Sequence, residues 1–119
     1  MYVIAVYYVS DGVPMIFVET SFFTKKIGIY LDDEELAELQ SELARNPELG
    51  KVIQGSGGIR KLRWAAMGKG RRGGARIIYY WAPQPVVILM LYVYVKSEVG
   101  DLTQDQLRLL RSVVKEEYK

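Results

Sequence analysis

The spacing of apolar positions changes character along the chain, and each change marks an element. Residues 2–9 and Met15–Glu19 are runs of aliphatic and aromatic residues separated by the turn signal Asp11-Gly12-Val13-Pro14, which predicts two short extended segments. Residues 1–14 read as an N-terminal extension or an extra strand ahead of a domain spanning 15–119. Thr20 or Ser21 can cap a short helix from Phe22 to about Ile29, since their hydroxyls accept from the first free amides. Asp32 can cap a second helix, with Asp33, Glu34 and Glu35 in its first turn, where the helix dipole favours negative charge. Leu36, Leu39 and Leu43 follow at spacings of three and four, a core-facing stripe, and Asn46-Pro47 ends the helix.

Gly50–Gly58 is a glycine-rich connection, and beyond it the period falls to two. Ile59–Ala66, Ala75–Ala82 and Val86–Lys96 predict three strands. A basic, glycine-rich loop, Met67–Gly74, links the first two, and Pro83-Gln84-Pro85 turns the chain between the second and third. Short connections make such neighbours antiparallel. Thr103-x-x-Gln106 is a capping-box signature, and it opens a helix carrying Leu107, Leu110 and Val114. The predicted class is α+β: two N-terminal helices on a twisted, mainly antiparallel sheet of about four strands, with a C-terminal helix.

Strand periodicity assigns faces. Leu89, Leu91, Val93 and Val95 alternate onto one side of the last strand and should meet the helices. Met90, Tyr92, Tyr94 and Lys96 take the other side. Leu62 and Trp64 are the natural core residues of their strand, which turns Lys61 and Arg63 the opposite way. Arg76 falls out of phase with Ile77, Tyr79 and Trp81. In matching register, Lys61, Arg63, Arg76, Tyr92, Tyr94 and Lys96 share one sheet face, with Lys69, Arg71 and Arg72 at its rim.

Composition narrows the chemistry. The 119 residues suit one domain, and half of them are apolar. There is no cysteine and no histidine, which removes disulfides, thiolate metal sites, histidine-ligated zinc and histidine general bases. Two prolines interrupt the long apolar stretch 77–95, so it reads as two strands and not a membrane span. The short apolar run at residues 2–9 lacks a basic flank and does not read as a signal peptide, and a cytoplasmic protein is expected.

The net charge of +2 conceals a sharp division. Residues 1–50 hold nine acids and three bases, whereas residues 51–97 hold nine bases and no acid. Charge on an open sheet face is usually only solvation, but a solvated surface normally mixes both signs. A carboxylate-free block points to a polyanionic partner. Cations interleaved with tyrosines suit a nucleic-acid backbone with bases stacked beside it. Tyr79, Tyr80, Trp64 and Trp81 read as packing residues, and Asp32–Glu35 as a helix start and not a metal site. Ser56 and Thr24 lack an evident base and are not assigned as nucleophiles.

Several spaced motifs resemble the RelE superfamily of bacterial toxins, most closely its HigB-like branch. They are Asn46-Pro47 with Gly50, then Val52-Ile53-Gln54-Gly55-x-Gly57-Gly58-Ile59-Arg60-Lys61-Leu62-Arg63, and Gly68-Lys69-Gly70-x-Arg72-Gly73-Gly74-x-Arg76-Ile77-Ile78-Tyr79-Tyr80. Tyr94-Val95-Lys96-Ser97-Glu98 and Asp101-Leu102-Thr103 follow. The resemblance covers roughly Met15 to the C-terminus.

It implies a RelE-like fold and the toxin of a type II toxin–antitoxin pair, a ribosome-dependent mRNA endoribonuclease that inhibits translation. It further implies a helix-turn-helix antitoxin, the 30S A site and mRNA as partners, operator DNA reached only through the antitoxin, and no membrane. The implied reaction is metal-independent and needs no cofactor: an RNA 2′-hydroxyl attacks the adjacent phosphate and expels the 5′-oxygen. By resemblance Lys61, Arg63, Arg76 and Lys96 occupy catalytic positions. Tyr94 stands in for a C-terminal tyrosine of relatives that has no clear counterpart here. Arg63 and Arg76 would hold the phosphate, because arginine stays charged, and Lys61 or Lys96 would move protons. Arg60, Lys69, Arg71, Arg72 and Tyr92 would bind RNA. The alternative expectation is a non-catalytic RNA- or ribosome-binding module, or a degenerate toxin that only binds its antitoxin.

Overall fold

The computed structural model describes residues 2–8, 12, 14–64, 74–82, 86–95 and 100–117. Its elements are β1 (Tyr2–Tyr8), β2 (Pro14–Glu19), α1 (Ser21–Tyr30), α2 (Asp33–Arg45), β3 (Lys51–Val52), β4 (Arg60–Trp64), β5 (Ala75–Trp81), β6 (Val87–Tyr94) and α3 (Gln104–Glu117). The class is α+β. The strands form one mixed sheet in the order β1-β2-β6-β5-β4-β3. The β2–β6 pairing is parallel and the other four are antiparallel.

Six strands replace the expected four or so. β1 pairs with β2, and Lys51–Val52 pairs with Arg60 and Lys61 inside the stretch that reads as a glycine-rich connection. A two-residue strand is too short to display a period, so its register with β4 is the only sign of it.

Local chemistry sets the helix starts. The Thr20 hydroxyl accepts from Phe23 N at 3.1 Å and donates to Leu91 O at 2.7 Å. One side chain thereby caps α1 and ties it to β6 just beyond the last β2–β6 pair, Glu19 with Met90. Asp32 and Glu35 close a full capping box on α2, at 2.8 and 2.9 Å. Thr103 and Gln106 do the same for α3, at 2.9 and 3.1 Å. Among the described residues no helix is long and apolar enough to cross a membrane.

The sheet is covered on both faces. α1 and α2 seal one face over Phe17, Leu62, Ile77, Tyr79, Ile88, Met90 and Val93, with Leu39 and Leu43 coming down from α2. On the other face α3 lays Leu107, Leu110 and Val114 across Ile59, Ile78, Leu89, Leu91 and Tyr94. Strict alternation along the last strand is therefore corrected. The β5–β6 register shifts between Ile78 and Tyr79, whose partners are Tyr92 and Met90, leaving Leu91 as an extra residue on β6. One inserted residue reverses the phase of everything after it. Ile88 and Met90 before the bulge and Val93 and Val95 after it meet α1 and α2, whereas Leu89 and Leu91 meet α3.

Candidate nucleic-acid interface

Register places the predicted residues. Arg63 lies opposite Arg76, and Arg76 opposite Tyr94. Two pairs along, and so on the same face, Lys61 lies opposite Ile78, and Ile78 opposite Tyr92. Directly opposed residues share a face, and Ile78 and Tyr94 fix this one as the α3 side. Lys51 joins it through its pairing with Lys61. Five of the residues expected on one face are thus brought together: Lys61, Arg63, Arg76, Tyr92 and Tyr94.

Their accessibility differs. Arg63 is exposed, and Lys61 and Tyr92 are half-buried. Arg76 is only 6% exposed and Tyr94 1%, because α3 and the segment leading into it cover the middle of the face.

Tyr94 is the best-defined group. Its hydroxyl reaches Asp101 Oδ1 in a long 3.5 Å contact. Burial, followed by the Asp101 carboxylate, pushes its pKa above 10, against the opposing pull of the Leu102 amide and the Arg76 guanidinium. The phenol is therefore protonated at neutral pH and can donate a proton; it cannot act as a base. The ring of Tyr92 lies 6.1 Å from that of Tyr94. Lys26 Nζ sits 5.3 Å from the Tyr92 centroid and 3.4 Å from its hydroxyl.

Arg60 goes elsewhere. It pairs with Tyr79 on the α1–α2 side, and its guanidinium donates to Gly50 O at 2.8 Å. There it braces the chain after α2. Tyr79 does likewise, donating to Pro47 O at 2.6 Å and accepting from Gly50 N at 2.8 Å. Gly50 is required for this close approach, since a Cβ there would lie 2.9 Å from the Tyr79 ring and 3.0 Å from Lys61 O. Lys69, Arg71, Arg72 and Lys96 lie outside the described residues.

The helix α3 divides this face. On its β6 side an apolar cavity of about 200 Å³ is lined by Phe22, Tyr92, Leu102, Gln106, Leu109 and Leu110. The cations Lys51, Lys61 and Arg63 belong to β3 and β4, at the opposite edge of the sheet. Two groups near the tyrosines were not predicted as site residues. Asp101 stands just before the α3 cap, and Lys26 sits on α1, more than sixty residues from Tyr92. Asp101 is marked only as part of the Asp101-Leu102-Thr103 motif and Lys26 only by its charge, and the tertiary fold brings both to the tyrosines. Among the described residues no three acidic groups converge as a metal site would require. No protein-family model matches the chain.

Proposed function

We propose that the chain is an mRNA endoribonuclease of the RelE-like, HigB-like type, acting in translation on ribosome-bound message as the toxin of a toxin–antitoxin pair. The observation that carries this reading is the cross-strand row Arg63–Arg76–Tyr94, with Lys61 and Tyr92 beside it, inside a stretch of 47 residues that holds no acid. The partners are those of the resemblance: message in the 30S A site and a helix-turn-helix antitoxin. The protein acts in the cytoplasm, where its ribosomes are.

In the reaction a bond forms from the 2′-oxygen to phosphorus as the bond from phosphorus to the 5′-oxygen breaks. A base takes the 2′-hydroxyl proton and an acid protonates the leaving 5′-oxygen, leaving a 2′,3′-cyclic phosphate. Arg63, exposed and permanently charged, faces the phosphate and the dianionic phosphorane. Arg76, behind it, favours the same charge. Tyr94, held in its protonated form, supplies the leaving-group proton. Lys61 or Lys96, acting as the neutral amine, takes the proton from the 2′-hydroxyl and becomes the ammonium.

The burial of Arg76 and Tyr94 beneath the α3 region favours a second reading, in which the exposed cations bind RNA or the ribosome without cutting. One experiment separates the two. Purified chain is mixed with translating ribosomes and end-labelled message, beside Arg63→Ala and Tyr94→Phe. The nuclease reading expects fragments ending in 2′,3′-cyclic phosphate, with Arg63→Ala slower by about 10²–10³-fold, the effect of removing one oxyanion-stabilising donor. Arg63 is exposed and Tyr94→Phe keeps the ring, so both variants should fold. Ribosome binding without fragments leaves the non-catalytic module.

A further inference from the structure

We propose that the cleft between the Gly55–Gly58 turn and α3 is a second phosphate site, holding a backbone phosphate of the RNA strand away from the reacting one. The proposal rests on the RNA reading above and extends its track across the face. The cleft has a volume of about 160 Å³ and chiefly polar walls, and is lined by Gly55, Gln104, Leu107, Arg108 and Arg111. Its charged side chains are both arginines, which offer forked donors and no acceptor.

The turn itself is shaped for close approach. Gly55 and Gly57 have φ of +76° and +75°, a conformation side chains rarely adopt. A Cβ on Gly57 would come within 3.7 Å of Arg111 Nε. The guanidinium therefore lies against bare backbone, and a phosphate can meet both. Ser56 holds the turn shut, its hydroxyl donating to Ile53 O at 2.5 Å with Ile59 O also in reach at 3.2 Å.

Charge supports a strand and not an isolated anion. Arg108 carries a 2.8 Å pair with Asp105, but both side chains are largely exposed, so the pair contributes little and yields readily to a phosphate. Lys51, Lys61 and Arg63 lie on the same sheet face as α3. Positions two apart on a strand are separated by about 7 Å, so Lys61 and Arg63 can serve neighbouring phosphates while the cleft takes one further along.

The test is the salt dependence of binding of the full chain to a single-stranded RNA oligonucleotide carrying 2′-O-methyl groups, which cannot be cut. Arg108→Gln/Arg111→Gln is compared with Arg63→Gln and with Lys25→Gln, an exposed position on α1. Each lost phosphate contact lowers the slope of log affinity against log salt by about 0.7. The double variant should lose roughly one such unit and bind about three- to tenfold more weakly, and Lys25→Gln should match wild type. An unchanged slope in the double variant, with Arg63→Gln weakened, overturns the cleft and leaves the RNA reading standing. If neither variant changes binding, both fall. Amide NMR shifts of Gly55, Gly57 and Gly58 distinguish the source of the anion. Shifts with the oligonucleotide and not with millimolar inorganic phosphate support the strand; saturation by micromolar inorganic phosphate identifies a free-anion site and overturns the assignment.

Discussion

The two faces of the sheet are finished differently. Two helices close one, and every residue that β5 and β6 send to it is apolar or, like Tyr79, fully hydrogen-bonded. A single helix crosses the other, and it leaves cations at the β3–β4 edge and aromatic residues at the β6 side. Both faces bury apolar core, the closed one more of it. The half-open face holds Arg63 opposite Arg76, the pairing on which the proposed RNA reading rests.

The largest effects are expected in the core. Leu39→Ala, beneath α2, and Leu110→Ala, beneath α3, should each cost about 2–5 kcal/mol, read as lowered denaturation midpoints. The larger loss is expected at Leu39, in the sealed face. RNA affinity well below the melting temperature should survive Leu39→Ala and fall with Leu110→Ala, which loosens the helix carrying Arg108 and Arg111. Equal effects of both variants on affinity would erase the distinction between the faces.

A smaller effect is expected at Tyr79→Phe. The change keeps the ring but leaves the Gly50 amide unpaired, a loss of about 1–3 kcal/mol in thermal unfolding. RNA affinity should not change, since Tyr79 serves the closed face. Removing the α3 cap with Thr103→Ala should cost about 1 kcal/mol and appear first as faster amide exchange at the start of α3.

The smallest effect concerns pH. Glu19 is buried on the closed side, where Thr24 donates to it at 2.6 Å. Burial raises its carboxyl above 4.5, and the Thr24 bond only partly opposes this. The native state therefore keeps the proton to a higher pH than the unfolded chain does. Stability falls as pH rises from about 4.5 until the raised native value is passed. Glu19→Gln should melt slightly higher than wild type at pH 7 and lose that slope. A lower melting temperature at pH 7 would show that the ionised carboxylate is stabilising.

Local features were legible in the sequence. The cap at Asp32, the Thr103–Gln106 capping box, the stop at Asn46-Pro47 and the apolar stripe of α2 depend on residues within one or two turns of each other; the reciprocal bond from Glu35 to Asp32 came only with the structure. The common face of Lys61, Arg63, Arg76, Tyr92 and Tyr94 was legible too, since period two and antiparallel neighbours nearly determine it. What escaped depends on distant contacts. The extra residue at Leu91 carries no sequence mark, yet it changes which aliphatic side chains meet which helices. The parallel pairing of β2 with β6 joins segments some seventy residues apart. The amphipathic pattern of α3 shows that it packs, but not that it packs over Arg76 and Tyr94, nor that it brings Arg111 to the Gly57 turn.

Message cutting by the half-open face is read by mapping mRNA 5′ ends by primer extension in cells expressing the wild-type chain or Arg63→Gln from a tight promoter. New ends inside translated codons are expected with the wild type and none with Arg63→Gln. The same ends with both chains, or no new ends with the wild type, would contradict cutting by that face.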